Sequence, residues 1–282
     1  MFSEKYGYKE SKIIQYERVS DELRNRIWNL FYQSEIKNGG LASKRFNLAL
    51  NGEQTIEEKI IDRLGFLINS AGKGQTAEAQ LKEYFFQITR WYEIYDFIEF
   101  HLSYLEENER KNRTKQYNVI LEQEKAGYRI VSGEIAPITN ELEINAIEQS
   151  VSTAFQSVNQ HIQKALNLYA DIKAPDYENS IKESISAVEA MCCIITGMSG
   201  ANATLGKALK KLKDCGIHIH QAMENAFLSL YGYTSDENGI RHGGIDFKSA
   251  PPEDAKYMLI SCSAFVNYLI EKYEQLEINT IR

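Results

Sequence analysis

Tyr177-Glu-Asn-Ser-Ile-Lys-Glu-Ser-Ile-Ser-Ala-Val-Glu-Ala190, continued by Met191-Cys-Cys-Ile-Ile195, is the run whose period decides the class of fold. Its apolar stripe is Ile181, Ile185, Val188, Cys192 and Ile195, spaced by fours and threes as on one buried face of an α-helix. Pro175-Asp176 ahead of it and Gly197 behind it supply a start and a stop. Toward the C-terminus, Thr204 predicts the cap of a short basic helix ending around Asp214, and Ile219 to Leu230 predicts another helix. Pro251-Pro252 opens a long last helix through Met258, Leu259, Cys262, Phe265, Val266 and Leu269. Toward the N-terminus, Glu141 to Ala170 predicts one more. Four or five helices with short connections predict an antiparallel bundle over residues 141–282.

The first half has a different texture. Ser20 predicts the cap of a helix through Leu23, Ile27, Leu30 and Phe31, ended by Asn38-Gly39-Gly40. Thr55-Ile-Glu-Glu58 is a capping-box pattern ahead of Ile60, Ile61, Leu64 and Leu67. A further helix is predicted from about Thr76 to Glu107, with one break allowed, and with apolar residues at Leu81, Phe85, Ile88, Tyr92, Tyr95 and Ile98. Core packing explains those aromatics better than a base-stacking platform, which needs exposure and positive charge. The period then changes: Tyr128-Arg-Ile-Val131, a turn at Gly133 and Ile135-Ala-Pro-Ile138 read as a β-hairpin that must pack on something helical. The chain is therefore expected to be mainly α, with a helical N-terminal domain over 1–140 ending in a hairpin near 128–138 and a second domain over 141–282.

Length and charge narrow the function. At 282 residues with a formal net charge of −7, two modest domains fit, and the surface as a whole does not suit coating by nucleic acid. Any RNA contact must be local. Lys207-Ala-Leu-Lys-Lys-Leu-Lys213 is the best basic stretch, which makes Lys207, Lys210 and Lys211 candidates to bind a polyanion; Arg110-Lys-Asn-Arg-Thr-Lys115 is a second. Cys192, Cys193 and Cys262 lie in apolar helical patterns and read as small core residues of a reducing cytoplasm. Cys215, His218 and His220 lack a convincing fourth ligand, so neither a metal nor a cofactor is expected. No apolar run reaches membrane-spanning length and no signal peptide opens the chain, so a cytoplasmic protein without membrane contact is expected.

One stretch carries candidate chemistry: Leu230-Tyr-Gly-Tyr-Thr-Ser-Asp-Glu-Asn-Gly-Ile-Arg-His-Gly-Gly244. Arg241 and His242 stand side by side between glycines, behind a polar run that includes Ser235, Asp236 and Asn238. A guanidinium offers a fixed fork of donors to a phosphate ester, and an imidazole can exchange a proton near neutral pH. The plainer alternative is an Asp-, Asn- and Gly-rich turn between helices, with Arg241 in a salt bridge.

Three stretches, 177–190, Asn238-Gly-Ile-Arg-His-Gly243 and Ala255-Lys-Tyr-Met-Leu-Ile-Ser-Cys-Ser-Ala-Phe-Val-Asn-Tyr-Leu269, resemble a HEPN domain. Over nearly its full length the chain resembles abortive-infection proteins of the AbiJ-like group. The resemblance implies a phage-defence protein that cleaves RNA without a metal, with His242 in proton transfer and Arg241 steadying phosphoryl charge. Glu189, on the helix equivalent to one that often carries an acidic residue, would orient the pair. It also implies a homodimer, in which two copies of the motif line one cleft. The usual HEPN motif separates Arg from His by four to six residues. Here Ser235, Asp236 and Glu237 occupy the corresponding places and Arg241 adjoins His242. A non-catalytic HEPN-like module that binds RNA, a nucleotide or a protein partner therefore stays open beside the nuclease, as does a structural adaptor. Neither the RNA target nor the phage or host trigger is written in the sequence.

Overall fold

A computed structural model describes residues 14–37, 59–60, 77–171, 174–200, 203–235 and 250–281. The chain separates into two compact units, Met1–Thr139 and Asn140–Arg282. The expected stop at Asn38-Gly39-Gly40 and the expected capping box at Thr55 lie outside the described residues.

In the first unit, α1 (Asp21–Phe31) starts where Ser20 Oγ accepts the backbone N–H of Leu23, at 3.2 Å. It buries Leu23, Ile27, Trp28 and Phe31. The helix then widens into a π-helical stretch, Tyr32–Lys37, in which the Ser34 hydroxyl donates to the Leu30 and Phe31 carbonyls. α2 (Ala77–Glu83) likewise runs into a π-helical turn, Tyr84–Ile88. Phe85 and Phe86 pack there on Trp28, and Phe85 meets Phe97 with ring centroids 4.8 Å apart. The helix expected from about 76 to 107, with one break allowed, is interrupted at Thr89 and ends at Ser103. Thr89 is extended and ends the π-turn, its hydroxyl and the Phe85 carbonyl both accepting from Arg24. After α3 (Glu93–Ser103) a second break at Tyr104–Glu106 precedes α4 (Glu107–Gln123). α4 was not foreseen, because it buries only Tyr117, Ile120 and Leu121 of its seventeen residues and so lacks a continuous apolar stripe.

The hairpin has the expected place. β1 (Arg129–Val131) pairs antiparallel with β2 (Glu134–Ala136), Ile130 opposite Ile135. Ser132 and Gly133 both take positive φ, 49° and 91°, the turn whose twist matches the two strands. Asn118 of α4 fastens it, donating to the Ile130 carbonyl at 2.8 Å and accepting the Ile130 N–H at 2.9 Å. This is the helical support that two short strands require.

In the second unit, Asn140 Oδ1 accepts the Leu142 N–H at 2.9 Å and starts α5 (Glu141–Val151). The one helix expected over 141–170 is two. Thr153 and Asn159 exchange side-chain and backbone bonds at the break, and α6 (Gln156–Ala170) follows. α7 (Tyr177–Thr196) is the centre of this unit, packed on α6 and on the last helix. Asp176 caps it through the Asn179 N–H at 3.0 Å, and Gly197 closes it at φ 65°. Ile181, Ile185, Val188 and Cys192 are buried, while Ile195 is only half-buried. α8 (Leu205–Lys211) continues as a 3-10 turn, Leu212–Cys215. α9 (Gln221–Ser235) runs past the expected end at Leu230, so the front of the 230–244 stretch is helix and not turn. α10 (Pro252–Ile281) buries Met258, Leu259, Cys262, Phe265, Val266 and Leu269, and Phe265 stacks on Phe227 of α9.

Candidate functional site

Arg241, His242, Asp236 and Asn238 lie outside the described residues, and Ser235 is the last residue of α9. The helix ends on either side are described. Tyr233, near the end of α9, donates its hydroxyl to Asp254 Oδ2 in the first turn of α10, at 2.5 Å. Burial and the Asp254 carboxylate together push that phenol up to about 12, so it stays protonated and keeps the bond. The chain thus leaves α9 and enters α10 at points held together by one charge-assisted hydrogen bond.

Glu189 is half-buried on α7, and its Oε2 accepts the backbone N–H of Leu205 at 2.9 Å. Leu205 opens α8, so the carboxylate satisfies one of the N–H groups that a helix start leaves without an internal partner. Thr204, expected to cap this helix, stands at the cap position without a side-chain cap bond. Lys207, Lys210 and Lys211 are exposed on the same short helix, which packs against α9. The structure therefore brings Glu189, the three lysines and the helix leading toward Arg241 into one corner of the bundle.

Three of the four cysteines resist ionisation. Burial raises the thiols of Cys192 and Cys193, with Glu189 adding to both, and pushes Cys262 up to about 12. Among the described residues no group of three or more His, Cys, Asp or Glu side chains could hold a metal ion. No helix among them is long and apolar enough to cross a membrane.

Two polar clusters escaped the sequence reading. On α6 and α7, His161 Nδ1 lies 2.6 Å from Glu183 Oε2, and Lys164 Nζ lies 2.5 Å from Oε1. Burial resists ionisation of Glu183, but the bonds from Lys164 and His161 outweigh it and hold the carboxylate below its usual range. In the first unit, His101 is 0 % exposed between two partners. Its Nδ1 is 2.7 Å from the Tyr117 hydroxyl, and Nε2 is 3.2 Å from Glu35 Oε1, too oblique for a hydrogen bond. Arg113 also reaches Glu35 Oε1, at 3.4 Å. Burial lowers the His101 pKa despite Glu35, so the ring is neutral at pH 7, with Tyr117 donating to Nδ1 and the Nε2 proton toward the carboxylate. Tyr117 and His101 are sealed, so this network joins the Tyr32–Lys37 stretch, α3 and α4 without access for a substrate. Glu35, His101 and Tyr117 are too far apart in sequence for any local spacing to have revealed them, and the same holds for His161 and Glu183.

Residues 1–153 match the family model described as AbiJ N-terminal domain 4, more than half of the 282-residue chain. The match covers the first unit and continues through α5 of the second. No curated protein and no solved structure matches the chain.

Proposed function

The chain belongs to the AbiJ N-terminal domain 4 family and is an AbiJ-like abortive-infection protein, and from that premise we propose that its helical C-terminal unit is a HEPN-type endoribonuclease. The reaction is metal-independent transesterification of RNA. The ribose 2′-hydroxyl attacks the adjacent phosphorus, His242 accepts its proton, and the 5′ oxygen of the next nucleotide leaves and is reprotonated. Arg241 stabilises the charge that gathers on the phosphoryl oxygens, and the loss of one such donor from a dry site costs on the order of 3 kcal/mol. A homodimer would set two copies of the pair along one cleft. Lys207, Lys210 and Lys211 would hold the backbone of the strand, with Ser235, Asp236 and Asn238 bordering the scissile phosphate.

The observation that carries this reading is the join itself. A family-matched N-terminal region leads into a helical bundle whose α9 and α10, tied by Tyr233 and Asp254, bracket Arg241 and His242. RNA incubated with the purified protein in EDTA tests it. Cutting by the unaltered chain should fall roughly 10²–10⁴-fold in His242→Ala, the usual worth of one positioned acid–base group. Undiminished cutting by a folded His242→Ala protein would refute the assignment. The engagement of Glu189 with Leu205 favours a second reading, a module that binds RNA, a nucleotide or a protein partner without cutting. Saturable RNA binding with no cleavage under the same conditions would select it.

A further inference from the structure

The first unit presents an aromatic and acidic face that the nuclease proposal does not use. Trp91-Tyr-Glu-Ile-Tyr-Asp-Phe-Ile-Glu99 explains how it forms. Ile94, Phe97 and Ile98 go into the core, Asp96 and Glu99 stand half-buried on the other side of α3, and the turn before the helix leaves Tyr92 exposed and Trp91 partly buried against the core. Trp91 stacks on Tyr128 with centroids 6.1 Å apart and planes at 25°, and Tyr16 meets Tyr128 edge-on at 6.3 Å. Tyr16 is 49 % exposed and Tyr92 39 % exposed. Tyr16 is nevertheless fixed in place. Its neighbour Gln15 bridges Ala126, with the Gln15 N–H donating to Lys125 and the Gly127 N–H to Gln15. A Cβ at Gly127 would stand 2.5 Å from the Tyr16 ring, so only glycine admits that ring at this distance. Exposed rings held this firmly are an unusual use of apolar surface.

Acidic side chains crowd one another beside the rings. Glu99 is pushed up to about 7 by burial first and then by Asp96 and Glu134. Tyr84 is pushed up to about 12 by burial and then by Glu93 and Asp96. Of the nearby cations, Arg129 is buried behind the rings, donating to the carbonyls of Ala126 and Tyr128. Arg90 shows what the surface accepts. Its guanidinium lies 5.9 Å from the Tyr92 ring centroid and donates to the Tyr92 hydroxyl at 2.6 Å, while its backbone N–H reaches Glu93. A planar cation suits such a surface twice over, by stacking on the rings and by a forked bond to a carboxylate, and an ammonium does so less well. A polyanion would meet the carboxylates unfavourably.

We propose that Tyr16, Trp91 and Tyr92, rimmed by Asp96, Glu99 and Glu134, form a docking surface for an arginine-bearing basic segment of a partner protein. The rings supply the faces and the carboxylates the charge.

Fluorescence anisotropy of a short labelled peptide of arginine, glycine and serine, titrated with the full chain, tests this. The isosteric pair Asp96→Asn with Glu99→Gln removes two acidic groups from a crowded cluster and so spares the fold. Saturable binding should weaken about tenfold in that variant. The charge-matched pair Glu141→Gln with Glu253→Gln, both exposed in the first turns of helices of the other unit, should bind as the parent does. The lysine version of the peptide should bind more weakly than the arginine peptide. Absence of saturable binding, equal loss in the two double variants, or equal or tighter binding of the lysine peptide would each overturn the proposal.

Discussion

At the scale of single residues, local chemistry was legible and distant chemistry was not. Ser20 and Asp176 each bond N–H groups within three positions of themselves, and the sequence places both caps correctly. Glu189 caps α8 from another helix, and nothing near Thr204 announces it. His101 is the sharper case. Its partners come from positions 35 and 117, and the network has a pH consequence. Burial depresses the His101 pKa, so the neutral ring contributes stability that is complete above about pH 6.5 and is lost as pH falls through the lowered folded value. Glu35 acts in the same direction at lower pH. Burial disfavours its charge, but contacts with His101, Ser34 and Arg113 outweigh that and depress its pKa, so its contribution is lost below the usual carboxylate range. Urea denaturation should therefore show lower stability at pH 5.5 than at pH 7.5. Tyr117→Phe removes the donor from a sealed ring nitrogen and should cost about 1–3 kcal/mol at neutral pH. Equal midpoints for the two proteins would contradict the assigned hydrogen bond.

At the scale of elements, apolar stripes located helices well and their interruptions badly. α7 and α10 bury the residues their periodicity selects, Ile195 near the end of α7 being the exception. The breaks at Thr89 and at Ser152–Phe155 are made by polar side chains that bond backbone groups, which leaves hydrophobic periodicity on both sides unchanged. α4 was missed for the opposite reason, since a helix with three buried residues shows no period to find. The short α8 depends on a single carboxylate at its start, so it can be probed alone. Glu189→Ala should lower thermal stability by about 1 kcal/mol through loss of the cap. Glu189→Gln keeps an acceptor oxygen for Leu205 and should recover much of that loss. If Glu189 also orients Arg241 or His242, RNA cutting should drop in the Gln variant while stability holds. A Gln variant as unstable as the Ala variant would contradict the capping role.

At the scale of the whole molecule, the mainly helical class and the hairpin at 129–136 were readable from period and turn chemistry, because both are properties of contiguous sequence. The abortive-infection family was readable as likeness, and the match over residues 1–153 supports it. The chemistry proposed for Arg241 and His242 was readable only as residue type, since whether two side chains meet at one phosphate depends on neighbours that spacing does not specify. The central claim is that this adjacent pair drives attack by a ribose 2′-hydroxyl. The most direct measurement compares an RNA strand with the same strand carrying a single 2′-deoxy nucleotide at the cut position, both incubated with the protein in EDTA. The mechanism predicts that the first is cut and the second is spared at that bond, with neither cut there by His242→Ala. Cleavage of both strands at the same bond would contradict it.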